Sequence, residues 1–451
     1  MSDVAASVES GRPRETLGVS DGVAIVVGIV IGSAIFETPS LVAANVGSGA
    51  ALIGVWIAGA FVSLLGALCW AELASRYPDA GGDYHFLTRA WGRDLGFLYA
   101  WSRMAVIQSG SIALIAFVFG DYASQIVRLG NASAAIWAGA AVAVLTLLHL
   151  AGVGASKRGQ RWLSVIQIGG IALLVLGGWL ASSGGAAPAP RPSATAAGGS
   201  IGLAMVFVLL TYGGWNEAAF ISAELRNPRK SVLRVLLASV ATIAALYVLV
   251  NLAMLRTLGI GGMAASEAIG ADLMRRAAGA KGATLVSLLV VACTLASINA
   301  MIFTGARTNY AMGRDFRMFS RLGLWRSGGD VPRNALLVQG AIILCLIAFG
   351  GAARNGFQAM VEYSAPVFWL FLLLATLSLL RLRQIEPARP REFSVPLYPV
   401  TPILFAAICA YLLYSSVRYT GAGALAGLAI VAVGAIVLLF ERRRPAGRGN
   451  G

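Results

Sequence analysis

Two short interruptions inside apolar segments are where this chain leaves backbone groups free to do chemistry. The first is Ile31-Gly32-Ser33-Ala34-Ile35-Phe36, between the apolar stretches 18–30 and 41–46; the second is Thr211-Tyr212-Gly213-Gly214-Trp215-Asn216. A helix crossing lipid must satisfy its N–H and C=O groups within itself. A Gly-Ser or Gly-Gly step at its midpoint is therefore tolerated only where the freed groups face protein or a cavity. The half-helix that starts after a break carries a partial positive charge at its N-terminus, which draws an anion, and Gly32 lets backbone approach a ligand closely. The N–H groups so placed belong to Ser33, Ala34 and Ile35. The half-helices that end at the breaks orphan carbonyls instead, at Val30 and Ile31 and at Leu210 and Thr211, and these suit a cation. For the first break a packing role competes, because Gly28-Ile29-Val30-Ile31-Gly32 also matches a small-xxx-small helix contact.

The elements that must position these groups are membrane helices. Of 451 residues, 58% are hydrophobic and 12% charged, with a mean hydropathy of +0.76; a soluble domain carries roughly 25% charged residues. The chain reads as an all-α polytopic membrane protein. Windows long enough to cross lipid begin near Gly18, Gly49, Leu95, Ala132, Trp162, Ser200, Ser231, Ala283, Asn334, Phe357, Leu397 and Gly421, about twelve helices in all. The net charge of +15 lies in short alternate loops such as Lys157/Arg158/Arg161 and Arg226/Arg229/Lys230/Arg234. That pattern predicts anionic lipid rather than nucleic acid as the basic face's partner, and it puts both termini in the cytoplasm. The Ser/Ala/Pro/Gly-rich stretch 184–199 reads as an external linker between two halves, 18–183 (helices 1–5) and 200–381 (helices 6–10). Each half opens on an interrupted helix, which points to a five-plus-five inverted repeat with the binding site at the two breaks. Residues 382–440 then hold helices 11 and 12 as an appendage, 1–17 and 441–451 are cytoplasmic tails, and Ala264 to Ala280 forms a short outer lid. Cys69, Cys293, Cys345 and Cys409 lie in apolar stretches without metal-ligand spacing, so neither a disulfide framework nor a metal site is expected.

Further motifs accompany the breaks: Ala71-Glu72-Leu73 with Pro78, Gly81-Gly82 and Tyr84; Phe119-Gly120-Asp121-Tyr122; and Glu224-Leu225-Arg226-Asn227-Pro228-Arg229-Lys230. From residue 18 to near Asp315 their order resembles that of the amino acid–polyamine–organocation superfamily, and within it the L-type amino-acid transporter group and its bacterial relatives. The resemblance implies a secondary transporter that moves amino acids by alternating access. The departures are specific. Ala34 stands where the family usually has Gly, Leu210 where an aromatic lid is usual, and Gln108-Ser109-Gly110-Ser111 where Arg-Pro-Gly-Ser is usual. Gln167 replaces a helix 5 lysine. No cysteine lies near Arg128 to Asn131, so the disulfide-linked partner chain of animal relatives is not expected, leaving a monomer or homo-oligomer.

With an amino acid as cargo, the N–H groups of Ser33, Ala34 and Ile35 suit its carboxylate. The carbonyls of Val30, Ile31, Leu210 and Thr211 suit its ammonium. Neither reads the side chain, so specificity falls to Ala34, Leu210, Trp215 and neighbours on helices 3 and 8, with Gly32, Tyr212, Gly213 and Asn216 shaping the breaks. Five residues are candidates for coupling or gating. Gln167 cannot titrate, so the lysine's proton mechanism is unavailable. Thr294 and Ser297 offer oxygens for a hard cation such as sodium. Glu37 and Glu217 are either helix-start acids stabilised by the dipole or intramembrane proton carriers. Simple exchange, needing no ion, is the third route. Glu72 and Glu224 read as salt-bridge partners among arginines. Asn131-Ala132-Ser133 matches a glycosylation sequon in a loop too tight for it.

An enzyme is disfavoured: the only histidines are His85 and His149, there is no His/Cys/acid cluster, no phosphate-cradling motif precedes a helix, and no cofactor is expected. A channel would need polar groups along a whole pore rather than at two central points. A sensor on a transporter fold, or a carrier of a cationic amino acid or polyamine, remains the alternative to an amino-acid carrier in the cell membrane. Replacing Gly32 with Leu should abolish uptake while leaving the protein in the membrane, because the side chain fills the anion site. Unchanged uptake in reconstituted vesicles would make the break a packing feature.

Overall fold

The computed structural model describes residues 18–30, 33–79, 81–151, 169–180, 200–221, 225–324, 332–353, 355–387 and 393–443. Gly32, Ile31 and Gln167, the linker 184–199, the tail 1–17 and most of 441–451 lie outside them, as does Glu224. Among the described residues the structure is helical and has no β-strand. In chain order the helices are α1 (Val19–Val30), α2 (Thr38–Asn45), α3 (Gly49–Arg76), α4 (Asp83–Trp91), α5 (Arg93–Ser102), α6 (Ser109–Ser124) and α7 (Ser133–Leu150). They continue with α8 (Gly169–Leu180), α9 (Ile201–Tyr212), α10 (Ala218–Ile221), α11 (Pro228–Ala264), α12 (Ile269–Asp315), α13 (Arg333–Gly351), α14 (Gly356–Ile385), α15 (Val400–Thr420) and α16 (Ala422–Arg443). Among the described residues, 9 spans are long and apolar enough to cross a membrane. The shorter apolar helices Val19–Gly28, Gly169–Leu180 and Ile201–Tyr212 fall at the windows read for helices 1, 5 and 6. The protein is thus a multi-pass membrane protein.

Both expected interruptions occur. α1 ends at Val30, a short 3₁₀ segment follows at Ser33–Phe36, and α2 resumes with Pro39 in its first turn, where a missing N–H costs nothing. α9 ends at Tyr212, and Gly214 turns the chain at φ 104°, a left-handed conformation that only glycine adopts without strain. The 3₁₀ turn Trp215–Glu217 and α10 complete the second interrupted helix. Three of the described helices begin with side-chain caps: Ser48 accepts from Ala51 N–H at 3.2 Å before α3, Ser200 from Leu203 N–H at 3.3 Å before α9, and Asn355 from Gln358 N–H at 2.8 Å before α14.

Packing brings the two interrupted helices onto a common wall. α3 runs against α11, and α9 lies against both α2 and α3. A Cβ on Gly66 of α3 would fall 2.5 Å from the Trp215 ring, so only a bare backbone admits the second break this close. Phe405 of α15 fills the same spot, edge-on to Trp70 and tilted steeply to Trp215 at 6.3 Å in each case. α15 thus contributes to the wall behind the second break. The segment read as a lid is helical from Ile269 and kinks at Ala278 and Gly279 before continuing as a span.

The arginine-rich end of the bundle is held by a buried ion pair. Glu72 near the end of α3 is 0% exposed and takes both Arg383 of α14, in a two-pronged contact, and the Val395 N–H at 2.8 Å. Arg383 also stacks on the Tyr398 ring. Beside it, Glu386 accepts from Arg89 at 2.8 Å and from the Tyr77 hydroxyl at 3.1 Å. This is the packing salt bridge expected of Glu72. A buried charge stripped of its partner costs about 3–5 kcal/mol, whereas an apolar pair of like volume is often neutral. Glu72→Ala should accordingly lower the melting temperature of the detergent-purified protein by several degrees, and Glu72→Met with Arg383→Met should recover most of it. Equal melting of the Ala variant and wild type would show that the pair holds nothing.

Candidate substrate site

A cavity of about 320 Å³ opens between the two breaks. Val30, Ala34 and Thr38 line it from the first interrupted helix, and Leu210, Thr211, Gly213, Gly214 and Asn216 from the second. The opposite wall comes from α5, α6 and the helical segment that joins them, and from α12 and α14. Its apolar surface is supplied by Ile107, Leu114, Ile115, Met301, Phe357, Val361, Phe368 and Phe371. The joining segment, Arg103–Gln108, is a π-helical stretch, a geometry common at functional sites, and its extra residue turns Ile107 and Gln108 to the cavity. Of the α12 candidates, Ser297 reaches the cavity while Thr294 is fully buried behind it. The Thr294 hydroxyl contacts Val290 O at 2.8 Å and Val291 O at 3.0 Å, and the Ser297 hydroxyl donates to Cys293 O at 3.1 Å. Both are back-bonded to their own helix, with oxygen lone pairs to spare.

The remaining predicted residues are distributed around this space. Ser33, Ala34 and Ile35 form the first turn of the 3₁₀ segment, whose leading N–H groups have no partner within that segment. Ile35 is buried away from the cavity, and Tyr212 donates its hydroxyl to Trp56 O at 3.2 Å. Trp215 does not line the cavity but packs perpendicular to Trp70 at 5.4 Å. From α9 it is Phe207, one turn before Leu210, that brings an aromatic ring to the cavity. The Asn216 amide donates to Asp83 Oδ2 at 3.1 Å, while Trp70 Nε1 donates to Asp83 Oδ1 at 2.7 Å. The Glu217 side chain lies outside the described residues.

Three polar residues of the site escaped the sequence reading. Asp83 follows Gly81-Gly82 at the start of α4 and ties the second break to α3 from the cavity's far end. Arg103 lines the cavity and donates to the Tyr99 hydroxyl at 3.2 Å; its signal was an isolated charge within an apolar span. Tyr247 of α11 is 0% exposed, and its hydroxyl lies 2.8 Å from Val30 O and 3.1 Å from Thr211 O, at the ends of both interrupted helices.

A second, polar cavity of about 360 Å³ lies at the other end of the bundle and shares no lining residue with the first. Glu37, Asp121, Gln125, Arg128 and Glu267 line it. Glu37 sits at the N-cap of α2 but makes no capping bond; it is 2% exposed, and its Oε2 has no hydrogen-bond partner among the described residues. Between the cavities, Tyr122 donates to Phe36 O at 2.9 Å and accepts from Gly270 N–H at 2.9 Å. The start of α12 is thereby pinned to the first interrupted helix.

A membrane-crossing bundle with a cavity between two broken helices has the build of a secondary transporter. Residues 17–440 match the family model described as amino acid permease, and the chain belongs to that family. It is 27% identical over 423 residues to the human b(0,+)-type amino acid transporter 1, covering 91% of this chain and 85% of that one. It is 27% identical over 416 residues to the mouse Asc-type amino acid transporter 1 (89% and 76% covered). It is also 27% identical over 436 residues to the human large neutral amino acids transporter small subunit 2 (93% and 79%). The protein is an amino acid transporter.

Proposed function

We propose that the protein carries a zwitterionic α-amino acid with a sizeable apolar side chain across the cell membrane by alternating access, and that it is not an enzyme. The observation that supports this reading is the cavity's composition: two helix breaks on one side, and on the other a wall of Ile107, Leu114, Ile115, Val361 and Phe368. The substrate carboxylate takes the N–H groups leading the 3₁₀ segment at Ser33, Ala34 and Ile35. The ammonium takes carbonyls ending α1 and α9. The side chain projects toward α6 and α14, where burying a leucine-sized group is worth about 1.5–3 kcal/mol. On this reading the two repeats comprise 18–183 and 200–381, both termini are cytoplasmic, and the Glu72–Arg383 end faces the cytoplasm. No disulfide-linked partner chain is needed, and Tyr122 is part of the outer seal.

For coupling, Glu37 is the residue to test. An unpaired carboxylate oxygen buried beside an outer polar cavity is where a proton can be taken up during the cycle. Without such a role the protein is an exchanger, driven by a second amino acid from the other side. Uptake of labelled leucine into proteoliposomes, with imposed proton or sodium gradients and with or without internal leucine, separates these. Leucine amide and the decarboxylated amine should fail to compete; efficient competition by either overturns the zwitterion assignment. Glu37→Gln should abolish proton-driven accumulation and spare exchange. If accumulation survives the substitution, Glu37 does not couple.

A further inference from the structure

We propose that the polar cavity is a second ligand site, for an extended organic cation bearing two ammonium groups, and that its occupant staples shut a seal made by Phe36, Tyr122 and Gly270. The seal joins three elements through one phenol. Tyr122 of α6 donates to Phe36 O of the first break at 2.9 Å and accepts from the Gly270 N–H of α12 at 2.9 Å. The Phe36 ring lies edge-on to that of Tyr122 at 6.2 Å. Each member of the seal has a carboxylate beside it in the chain: Glu37 follows Phe36, Asp121 precedes Tyr122, and Glu267 stands 3 residues before Gly270. All three acids line the polar cavity, which shares no lining residue with the central one. Whatever bridges them ties the same three elements a second time.

Glu37 supplies the anchor. It is 2% exposed, it lines the cavity, and its Oε2 has no hydrogen-bond partner among the described residues. A carboxylate so buried is costly unless a counter-charge meets it. Arg275 is committed elsewhere, to Asp272 and to Gln125 Oε1, the latter at 3.2 Å. Arg128 lines the cavity, but against three carboxylates it leaves an excess of negative charge among the described lining residues, which draws cations in. A proton on Glu37, as coupling would use, neutralises one group and leaves the rest of the cavity without a purpose. A bare metal ion fits no better, because among the described residues no three acidic, histidine or cysteine side chains gather closely enough to hold one. The acids are instead distributed around about 360 Å³, a volume that takes a small organic ligand, so the cation that satisfies them must span. An α,ω-diamine does so. Each ammonium brings three donors for carboxylate oxygens, and the methylenes between them have Leu41, Phe117 and Ala135 to lie against.

The test titrates 1,5-diaminopentane into the purified full-length protein by calorimetry and follows labelled leucine uptake by proteoliposomes in its presence. One saturable site is expected, which leucine does not displace, with a lower Vmax for leucine at an unchanged KM. Pentan-1-amine, with a single charge, should bind about tenfold more weakly, the size of one lost contact between charged groups. Glu37→Gln should abolish the binding heat. Asp121→Asn combined with Glu267→Gln should weaken binding by about tenfold or more and keep uptake without the diamine within about twofold of wild type. Amide hydrogen exchange from Glu267 to Asp272 should slow on binding. Absence of saturable binding, equal binding of the monoamine, or unchanged binding by the double variant overturns the site. Unchanged exchange overturns the staple, and a raised KM at constant Vmax overturns both by making the diamine a competitor in the central cavity. Binding and exchange need no transport, so slowed exchange in a protein that carries no leucine upholds the proposal and overturns the leucine reading alone. If the double variant does not reach the membrane, Glu267→Gln, at an exposed position, carries the same comparison: weaker binding supports the site and unchanged binding overturns it.

Discussion

In a bilayer no water is present to take up a stray N–H or C=O, and an unsatisfied group there costs several kcal/mol. The two breaks defy that constraint, and much of the remaining structure answers it. Val30 O and Thr211 O are met by Tyr247, and Phe36 O by Tyr122. The Thr211 hydroxyl reaches both Phe207 O and the Thr38 hydroxyl at 2.8 Å. The satisfying groups come from α2, α6, α9 and α11, so the breaks are held by the assembled bundle. The polar groups left over at the cavity are those an incoming zwitterion can use. Binding and folding thus draw on the same inventory of backbone donors and acceptors.

The second break shows how apolar packing supports that inventory. Trp70, Trp215 and Phe405 interlock in perpendicular and tilted contacts of 5.4 to 6.3 Å, a geometry that the ring quadrupoles favour. Trp70 has one polar atom, and it goes to Asp83, which in turn receives the amide of Asn216. The wall behind the cavity is therefore rigid in both its oily and its polar parts. The cavity's other wall, on α5, α6, α12 and α14, carries apolar residues, which on the proposed reading meet the side chain. On the proposed reading, backbone groups on one wall fix the amino-acid head group and the apolar wall meets what lies beyond it.

How much of this could be read from the sequence follows from what kind of signal each feature leaves. Both breaks were legible because Gly-Ser and Gly-Gly interrupt otherwise unbroken apolar runs, and the spans were legible from length and hydropathy. The Glu72 pair was legible because a carboxylate at the end of an apolar span, with arginines clustered at the same end, finds its counter-charge among them. Tyr247 left no signal: an aromatic in an apolar helix reads as core, and its partners Val30 and Thr211 are backbone atoms distant in the chain. Asp83 sat inside a recognised motif, yet its tie to Asn216 spans 133 positions and cannot be seen locally. Trp215 was read toward the cavity from its place in the break, but a 3₁₀ turn after Gly214 aims it into the bundle against Trp70. The turn of Ile107 and Gln108 depends on a π-helical stretch that no residue of Arg103–Gln108 announces.

The central claim is that the backbone groups freed at the two breaks hold the amino acid's charged head. A cryo-electron microscopy structure of the purified transporter with leucine bound tests it most directly. The account predicts leucine in the central cavity with its carboxylate within about 3 Å of the N–H groups of Ser33 to Ile35 and its ammonium at a like distance from Val30 O and Thr211 O. Leucine seated in the second, polar cavity among Glu37, Asp121 and Glu267, or in the central cavity with its head group turned away from both breaks, would contradict it.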